Sequence, residues 1–211
     1  MAIDRTKIQV VLYLESYIAH PFWPEQSIKI DVEKKSGMNR CRTEATRTAA
    51  LKGQLEKEGM SLSDYNSLIK ASSRAWYRVD NDDEASEIVI PRHHIAGMLV
   101  QAVKTAPKSV RGAFNADSFR HVVRLPDFPT GKFETDEVFD RYVKLEMSNQ
   151  RSRQVNDVIT DVTASGVIEL LPEAKEDDLE RLIKYALEQT GIGAARKMGY
   201  GRGVLREFSV M

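Results

Sequence analysis

A single cysteine, Cys41, stands among 211 residues, so no internal disulfide can form and no Cys-rich zinc site is available. No run approaches the ~18 consecutive apolar residues that a bilayer span needs, which sets a membrane role aside. The opening residues MAIDRTKIQVV lack the uninterrupted apolar stretch of a signal peptide, and the compartment expected is the cytoplasm. Net charge is missing too, with 31 Lys and Arg against 31 Asp and Glu. That balance excludes a protein that coats nucleic acid by bulk electrostatics and leaves a local basic face open. What remains, 42% hydrophobic and 29% charged residues, describes an ordinary globular protein of one domain, or one domain with a large insertion.

The charges are segregated along the chain. Asp80, Asp82, Asp83, Glu84 and Glu87 form one acidic stretch, and Glu173, Glu176, Asp177, Asp178 and Glu180 form another. Lys104, Lys108, Arg111, Arg120 and Arg124 share a segment whose only acid is Asp117, and Arg196, Lys197, Arg202 and Arg206 share one with none. A neutral total therefore conceals basic segments, readable either as solvated surface or as a binding face.

Alternating apolar residues at Ile8, Val10, Leu12 and Leu14, and again at Ile28, Ile30 and Val32, predict two strands. The Ala-, Leu-, Glu-, Lys- and Arg-rich stretch from about 40 to 70, broken at Gly59-Met60, predicts two helices. After a short strand at Ser86–Pro91, Ile95, Met98, Leu99, Ala102 and Val103 fall at the spacing of a core-facing helix. Residues 104–137, rich in Pro, Gly, Asn and Asp around one strand-like run at Phe119–Leu125, read as a long excursion of the kind that often binds. Strands follow at Phe139–Met147, Val155–Val162 and Gly166–Leu171, then a helix through Leu179, Leu182, Ile183, Ala186 and Leu187, then a last strand over Val204–Val210.

The densest signal is the segment 191–203, GIGAARKMGYGRG, which holds five of the chain's 12 glycines. Glycine opens positive φ and removes the Cβ that would keep a phosphate or another strand away from backbone amides. Arg196, Lys197 and Arg202 add the charge. A plainer reading stands beside this one: Gly191 caps a helix, and Gly199 and Gly201 make turns. Dinucleotide and nucleoside-triphosphate loops do not match, because they run from strand to glycines to helix. Here a helix precedes the glycines, a strand follows them, and no Gly-Lys-Ser/Thr ending is present.

A helix entering G-I-G-x-x-R-K-x-G-Y-G-R-G and leaving as a terminal strand resembles the C-terminal signature of the RAMP superfamily of CRISPR-associated proteins. Ser165-Gly166-Val167-Ile168-Glu169-Leu170 followed by the Leu179–Leu187 helix agrees with that order. Ile90-Pro91-Arg92-His93-His94-Ile95-Ala96-Gly97-Met98-Leu99 is similar to the family's I-P-G-S-S-L-K-G-A-L-R segment, with Arg92, His93 and His94 in place of Gly-Ser-Ser and Val100 where a basic residue is common. The resemblance implies an α+β fold, an RRM/ferredoxin-like antiparallel sheet with helices on one face and an inserted thumb-like segment. It places a single domain over 1–211, with a helical insertion at about 38–80 and a loop or hairpin excursion at about 104–137.

The resemblance also implies a subunit that holds guide RNA by its sugar-phosphate backbone. On that basis the expected contacts are Gly191, Gly193, Arg196, Lys197, Gly199, Tyr200, Gly201 and Arg202, joined by Arg151, Arg153, Lys108 and Arg111. Tyr200, and Phe114 or Phe119 on the excursion, could stack bases, which is tolerant of sequence. The expected partners are single-stranded RNA or DNA and other copies or other effector subunits. No cofactor and no metal are expected, since Asp31 and Asp117 lack companions at metal-ligand spacing.

The same family contains processing ribonucleases, and metal-independent cleavage needs a base, an acid and cations. His20, after the first strand, and His93 or His94, at a helix start, are the alternatives for that role, against packing for the first and capping or surface placement for the pair. His121, Trp76 and Tyr77 read as structural, and Cys41, within an Ala/Arg-rich helix, as a small buried residue. A third reading is a phage or plasmid protein that uses this fold to bind single-stranded DNA or to mimic a CRISPR subunit.

Overall fold

The computed structural model of the protein describes residues 4–19, 23–72, 76–144 and 151–211. The chain divides into two compact units, Met1–Ala19 with Tyr77–Met211, and His20–Trp76. The elements of the second unit are α1 (Trp23–Ser36), α2 (Glu44–Lys57) and α3 (Leu62–Ser72). In chain order the first unit carries β1 (Thr6–Tyr17), β2 (Tyr77–Arg78), β3 (Ile88–Ile90), α4 (Arg92–Thr105), α5 (Lys108–Arg111), α6 (Phe119–Val122), β4 (Val123–Arg124) and β5 (Phe128–Pro129). It continues with β6 (Glu137–Lys144), β7 (Arg151–Leu170), α7 (Glu176–Tyr185) and β8 (Gly203–Val210).

Strand side chains alternate between faces, and in β1 the even positions Ile8, Val10, Leu12 and Leu14 are all buried. Antiparallel pairing sets Ile8 opposite Ile168, Val10 opposite Gly166, Leu12 opposite Ala164 and Leu14 opposite Val162. A slip of one residue would turn both apolar rows to water, so the pattern itself pins the register. Ile95, Met98 and Leu99 of α4 and Leu179, Leu182 and Ile183 of α7 are buried as well, and Ile95, Met98, Leu99 and Ile183 meet Val10, Leu12 and Ile168 around one small core void. The opposite face of the sheet keeps Lys7, Glu15, Asp161 and Thr163 in solvent.

The sheet order is β4-β7-β1-β8, with antiparallel pairing throughout. Read along the chain, β1, α4, β4, β7, α7 and β8 make a β-α-β-β-α-β unit whose four strands lie in the order second, third, first, fourth. That is the split βαβ, ferredoxin-like layout, and the expected α+β fold with helices on one face of an antiparallel sheet is the fold observed. The N-terminal half of β7 runs on past β1 to pair with β6, Glu137 opposite Val158 through to Lys144 opposite Arg151. A two-stranded ribbon thus extends from the sheet.

Several local expectations change. Residues 28–32 lie in α1 and not in a strand, because a tertiary contact overrides the alternation: Val32 packs with Leu55 and Tyr65 in the core of the second unit, and the Tyr65 hydroxyl donates to Glu33 at 3.0 Å. The helical segment begins before the expected 38, since α1 and the second unit both start earlier. Phe119–Val122 is a helical turn, closed by N–H groups of His121 and Val122 on the Ser118 carbonyl, and only Val123–Arg124 is strand.

The segment 104–137 is not an excursion. Ala106, Phe114, Phe119, Val123 and Phe128 are buried, β4 completes the main sheet, and β5 joins β2 and β3 in a three-stranded sheet. Its Pro and Gly residues divide it into short pieces that pack, and the pairing that continues beyond the main sheet is that of β6 with β7. The expected break between residues 162 and 166 is absent because β1 pairs straight across it, with Tyr13 opposite Thr163 and Val11 opposite Ser165.

Candidate nucleic-acid interface

Past α7 the helix widens over Ala186–Thr190 and stops at Gly191, whose φ of 74° a side chain would oppose. The loop then stitches itself to the end of β1. The Ile192 N–H donates to the Gly201 carbonyl at 2.9 Å, the Gly201 N–H to Ser16 at 2.9 Å, and the Ala194 N–H to Ile18 at 2.8 Å. At Gly201, with φ 73°, a Cβ would fall onto the carbonyl of Ile192, and at Gly193, with φ 80°, it would strike the Ile18 carbonyl and the Tyr17 ring. Gly191, Gly193 and Gly201 are buried. These glycines serve the approach of backbone to backbone, and the groups that face outward are the cations.

Arg196 and Lys197 sit in a tight turn between two left-handed residues, Ala195 at φ 54° and Gly199 at φ 95°. With Arg202 they line an open cleft of about 500 Å³. Gln101 and Thr105 of α4 form one wall, and Tyr185, Gln189 and Thr190 at the end of α7 form another. No acid lines this cleft, and none of the three cations has an ion pair or side-chain hydrogen bond among the described residues. Fixed positive charge, amide and hydroxyl donors and the absence of a counter-acid suit a phosphate backbone.

Gln101, Thr105, Gln189 and Thr190 were not legible as site residues. Gln101 and Thr105 do lie four apart on the polar flank of α4, a helical spacing that places them on one face. Tyr200 lies half exposed with its ring 5.3 Å from that of Phe139, so the loop touches the base of the ribbon. Lys108 and Arg111 lie on α5 and line neither the cleft nor its rim, and the Arg111 guanidinium donates to the Phe114 carbonyl at 3.1 Å. Phe114 and Phe119 are buried against each other, which removes them as stacking platforms. Arg151 and Arg153 are backbone partners of Lys144 and Tyr142 in the ribbon.

His20 lies outside the described residues. His94 is buried and not a surface or capping residue, with Nδ1 2.7 Å from the Tyr17 hydroxyl. Burial pushes the Tyr17 phenol well above its ordinary pKa, so it stays protonated. His93 is exposed, and its ring packs edge-on against Tyr77 at 5.1 Å and His94 at 4.5 Å. The start of α4 is capped by neither: Asp127 accepts from the Arg92 N–H at 2.7 Å. Asp31 is paired with Lys35 at 2.5 Å, and no cluster of three or more metal-ligating side chains occurs among the described residues.

Tyr17 is the floor on which Gly193 rests, so the buried Tyr17–His94 pair ties the loop to α4. Tyr17→Phe removes one partner of a buried hydrogen bond, and the expected loss is about 1–3 kcal/mol of stability in urea unfolding. A variant as stable as the wild type would show that the pair contributes nothing net.

No protein-family model matches the sequence, and no curated protein is similar to it. Solved structures do match. A chain in the cryo-EM structure of the Type III-B Cmr-beta bound to cognate target RNA superposes with a TM-score of 0.53 at 13% identity, over 99% of this chain and 61% of that one. The protein therefore spans less than two thirds of that neighbour's length. Cmr6 from Pyrococcus furiosus matches at 12% identity over 97% of this chain and 99% of that one, with a TM-score of 0.33. The likeness to the Cmr-beta chain is one of fold, the α+β ferredoxin-like arrangement described above. Among the described residues no helix is long and apolar enough to cross a membrane.

Proposed function

We propose that the protein is a non-catalytic subunit of a CRISPR-type effector assembly that holds single-stranded RNA, a guide strand above all, along the cleft of Arg196, Lys197 and Arg202. The observation that carries this reading is the set of three cations that have no ion pair or side-chain hydrogen bond among the described residues, in a cleft whose described lining holds no acid. Unpaired positive charge is the footprint of a polyanion whose sequence is not being read. The fold shared with a chain of an RNA-bound Cmr-beta structure supports the assignment. The segregation of acidic and basic stretches suits contacts with further copies or with other subunits in the cytoplasm.

The test is incubation of the purified protein with labelled single-stranded RNA, single-stranded DNA and duplex, each resolved on native and denaturing gels without added metal. Retarded, intact single strands are expected, with RNA held best. Discrete RNA fragments that vanish with His93→Ala or His20→Ala would replace this reading with the processing nuclease. Retention of DNA in preference to RNA would replace it with the single-stranded-DNA-binding protein.

A further inference from the structure

A second cleft lies at the other end of α4. Its volume is about 610 Å³, slightly larger than the cleft of the glycine loop, and Arg92, Arg120 and Arg124 stand on its rim. Ala96, Val123, Leu125, Pro126 and Val167 give it an apolar lining. The space is within the range of sites that enclose small ligands, which combine apolar walls with a few convergent polar groups.

Electrostatics sets the ligand's sign. Arg92 and Arg120 are exposed, and their guanidinium groups have no ion pair or hydrogen bond among the described residues. Arg124 has one distant partner, Glu169 at 3.7 Å, and that carboxylate is the only acid in the lining. Exposed pairs at such distances contribute little, so Arg124 is readily drawn to a stronger anion. His93 adds a ring at the edge.

Planar guanidinium groups bind phosphate through paired N–H donors and also stack on bases. Three of them around a sizeable apolar surface suit a ligand with a dianionic end and a flat hydrophobic body. A phosphate monoester offers up to two charges and three acceptor oxygens to the three guanidinium groups, where a peptide carboxylate offers one charge and two oxygens. A site for a bare anion would not need that wall.

We infer that this cleft is a nucleotide-binding site, separate from the glycine loop, that takes one nucleoside monophosphate unit, with its phosphate at Arg92, Arg120 and Arg124 and its base against Ala96, Pro126 and Val167. Arg92 and Gln101 are nine residues apart on α4, about 13 Å along a helix at 1.5 Å per residue. The same unit is offered by a free nucleotide and by a link in a single strand that also engages the glycine-loop cleft, and the experiment distinguishes the two sources. The inference stands on the second cleft alone and does not require the glycine loop to bind.

The experiment uses the full chain and two probes, 5′-AMP and a labelled 12-nucleotide single-stranded RNA without a terminal phosphate, each titrated by fluorescence or calorimetry. Variants are Arg92→Ala with Arg120→Ala, and Arg196→Ala with Arg202→Ala. None of the four side chains has an ion pair or hydrogen bond among the described residues, so both variants should unfold with the wild-type Tm.

Loss of about tenfold or more in AMP affinity in the first variant, with less than about twofold change in the second, identifies free nucleotide as an occupant. A comparable loss of RNA affinity in the first variant, with 4-thiouridine crosslinks mapping to residues 119–126, identifies a nucleotide of a strand. The inference is overturned if neither probe weakens in the first variant, or if AMP binding is lost only in the second. Retained RNA affinity in the second variant would instead count against the glycine-loop reading, so the two failures are told apart.

Discussion

Gly201→Val is expected to unfold the end of the glycine loop, abolish RNA retention and lower stability by about 3 kcal/mol or more. Two effects act together. The residue has φ 73°, which a β-branched side chain resists, and the added Cβ would meet the backbone of Ile192, which has nowhere to go because its own N–H donates to the Gly201 carbonyl. The contrast is Gly199→Ala. Its φ of 95° is strained, but nothing lies within 4 Å of the added carbon, and about 1–2 kcal/mol is expected. Thermal and urea unfolding of the two variants, each followed by RNA titration, separates conformation from contact. Equal stability losses would show that the close approach at residue 201 is unimportant.

Phe128→Ala is expected to cost about 3–5 kcal/mol. Phe128 is fully buried, and its ring fills the space over Gly166, where a Cβ would come within 2.5 Å of it. Glycine below and phenylalanine above are one packing unit, which couples β5 to the C-terminal half of β7. Phe133→Ala, at a residue 52% exposed, should stay within about 0.5 kcal/mol. If both variants lost equally little, residues 104–137 would be a detachable segment and not part of the core.

The periodic elements were legible because one physical signal controlled each of them. Ile8 to Leu14 alternates over a single buried face, and Ile95 to Val103 repeats at helical spacing over another. Residues 28–32 carried two signals at once. Ile28 and Val32 are two apart from Ile30 and four apart from each other, so the same residues fit a strand or a helix, and the contact of Val32 with Leu55 and Tyr65 decides. No local pattern contains that contact.

The glycine segment was legible as a candidate site and misleading in its detail. Five glycines read as a cradle of open amides, whereas the amides of Ile192, Ala194 and Gly201 are engaged by backbone carbonyls, one of them Ser16 on β1 and another Ile18 just past its end. What the sequence could carry was the charge of Arg196, Lys197 and Arg202. What it could not carry was the wall from α4, since Gln101 and Thr105 are about ninety residues away along the chain. The histidine pair shows the same limit. His93 and His94 are adjacent in sequence, yet one is exposed and the other is buried beside a tyrosine 77 residues distant.

The central claim is that Arg196 and Arg202 contact phosphates, and the salt dependence of RNA binding tests it most directly. Each phosphate contact contributes about 0.7 to the slope of log affinity against log salt for single strands. Arg196→Ala with Arg202→Ala is therefore expected to weaken binding to unrelated sequences alike and to flatten that slope by about 1.4 relative to the wild type. Parallel lines for the two proteins, with equal affinity at low salt, would contradict the account and remove the cleft from the binding surface.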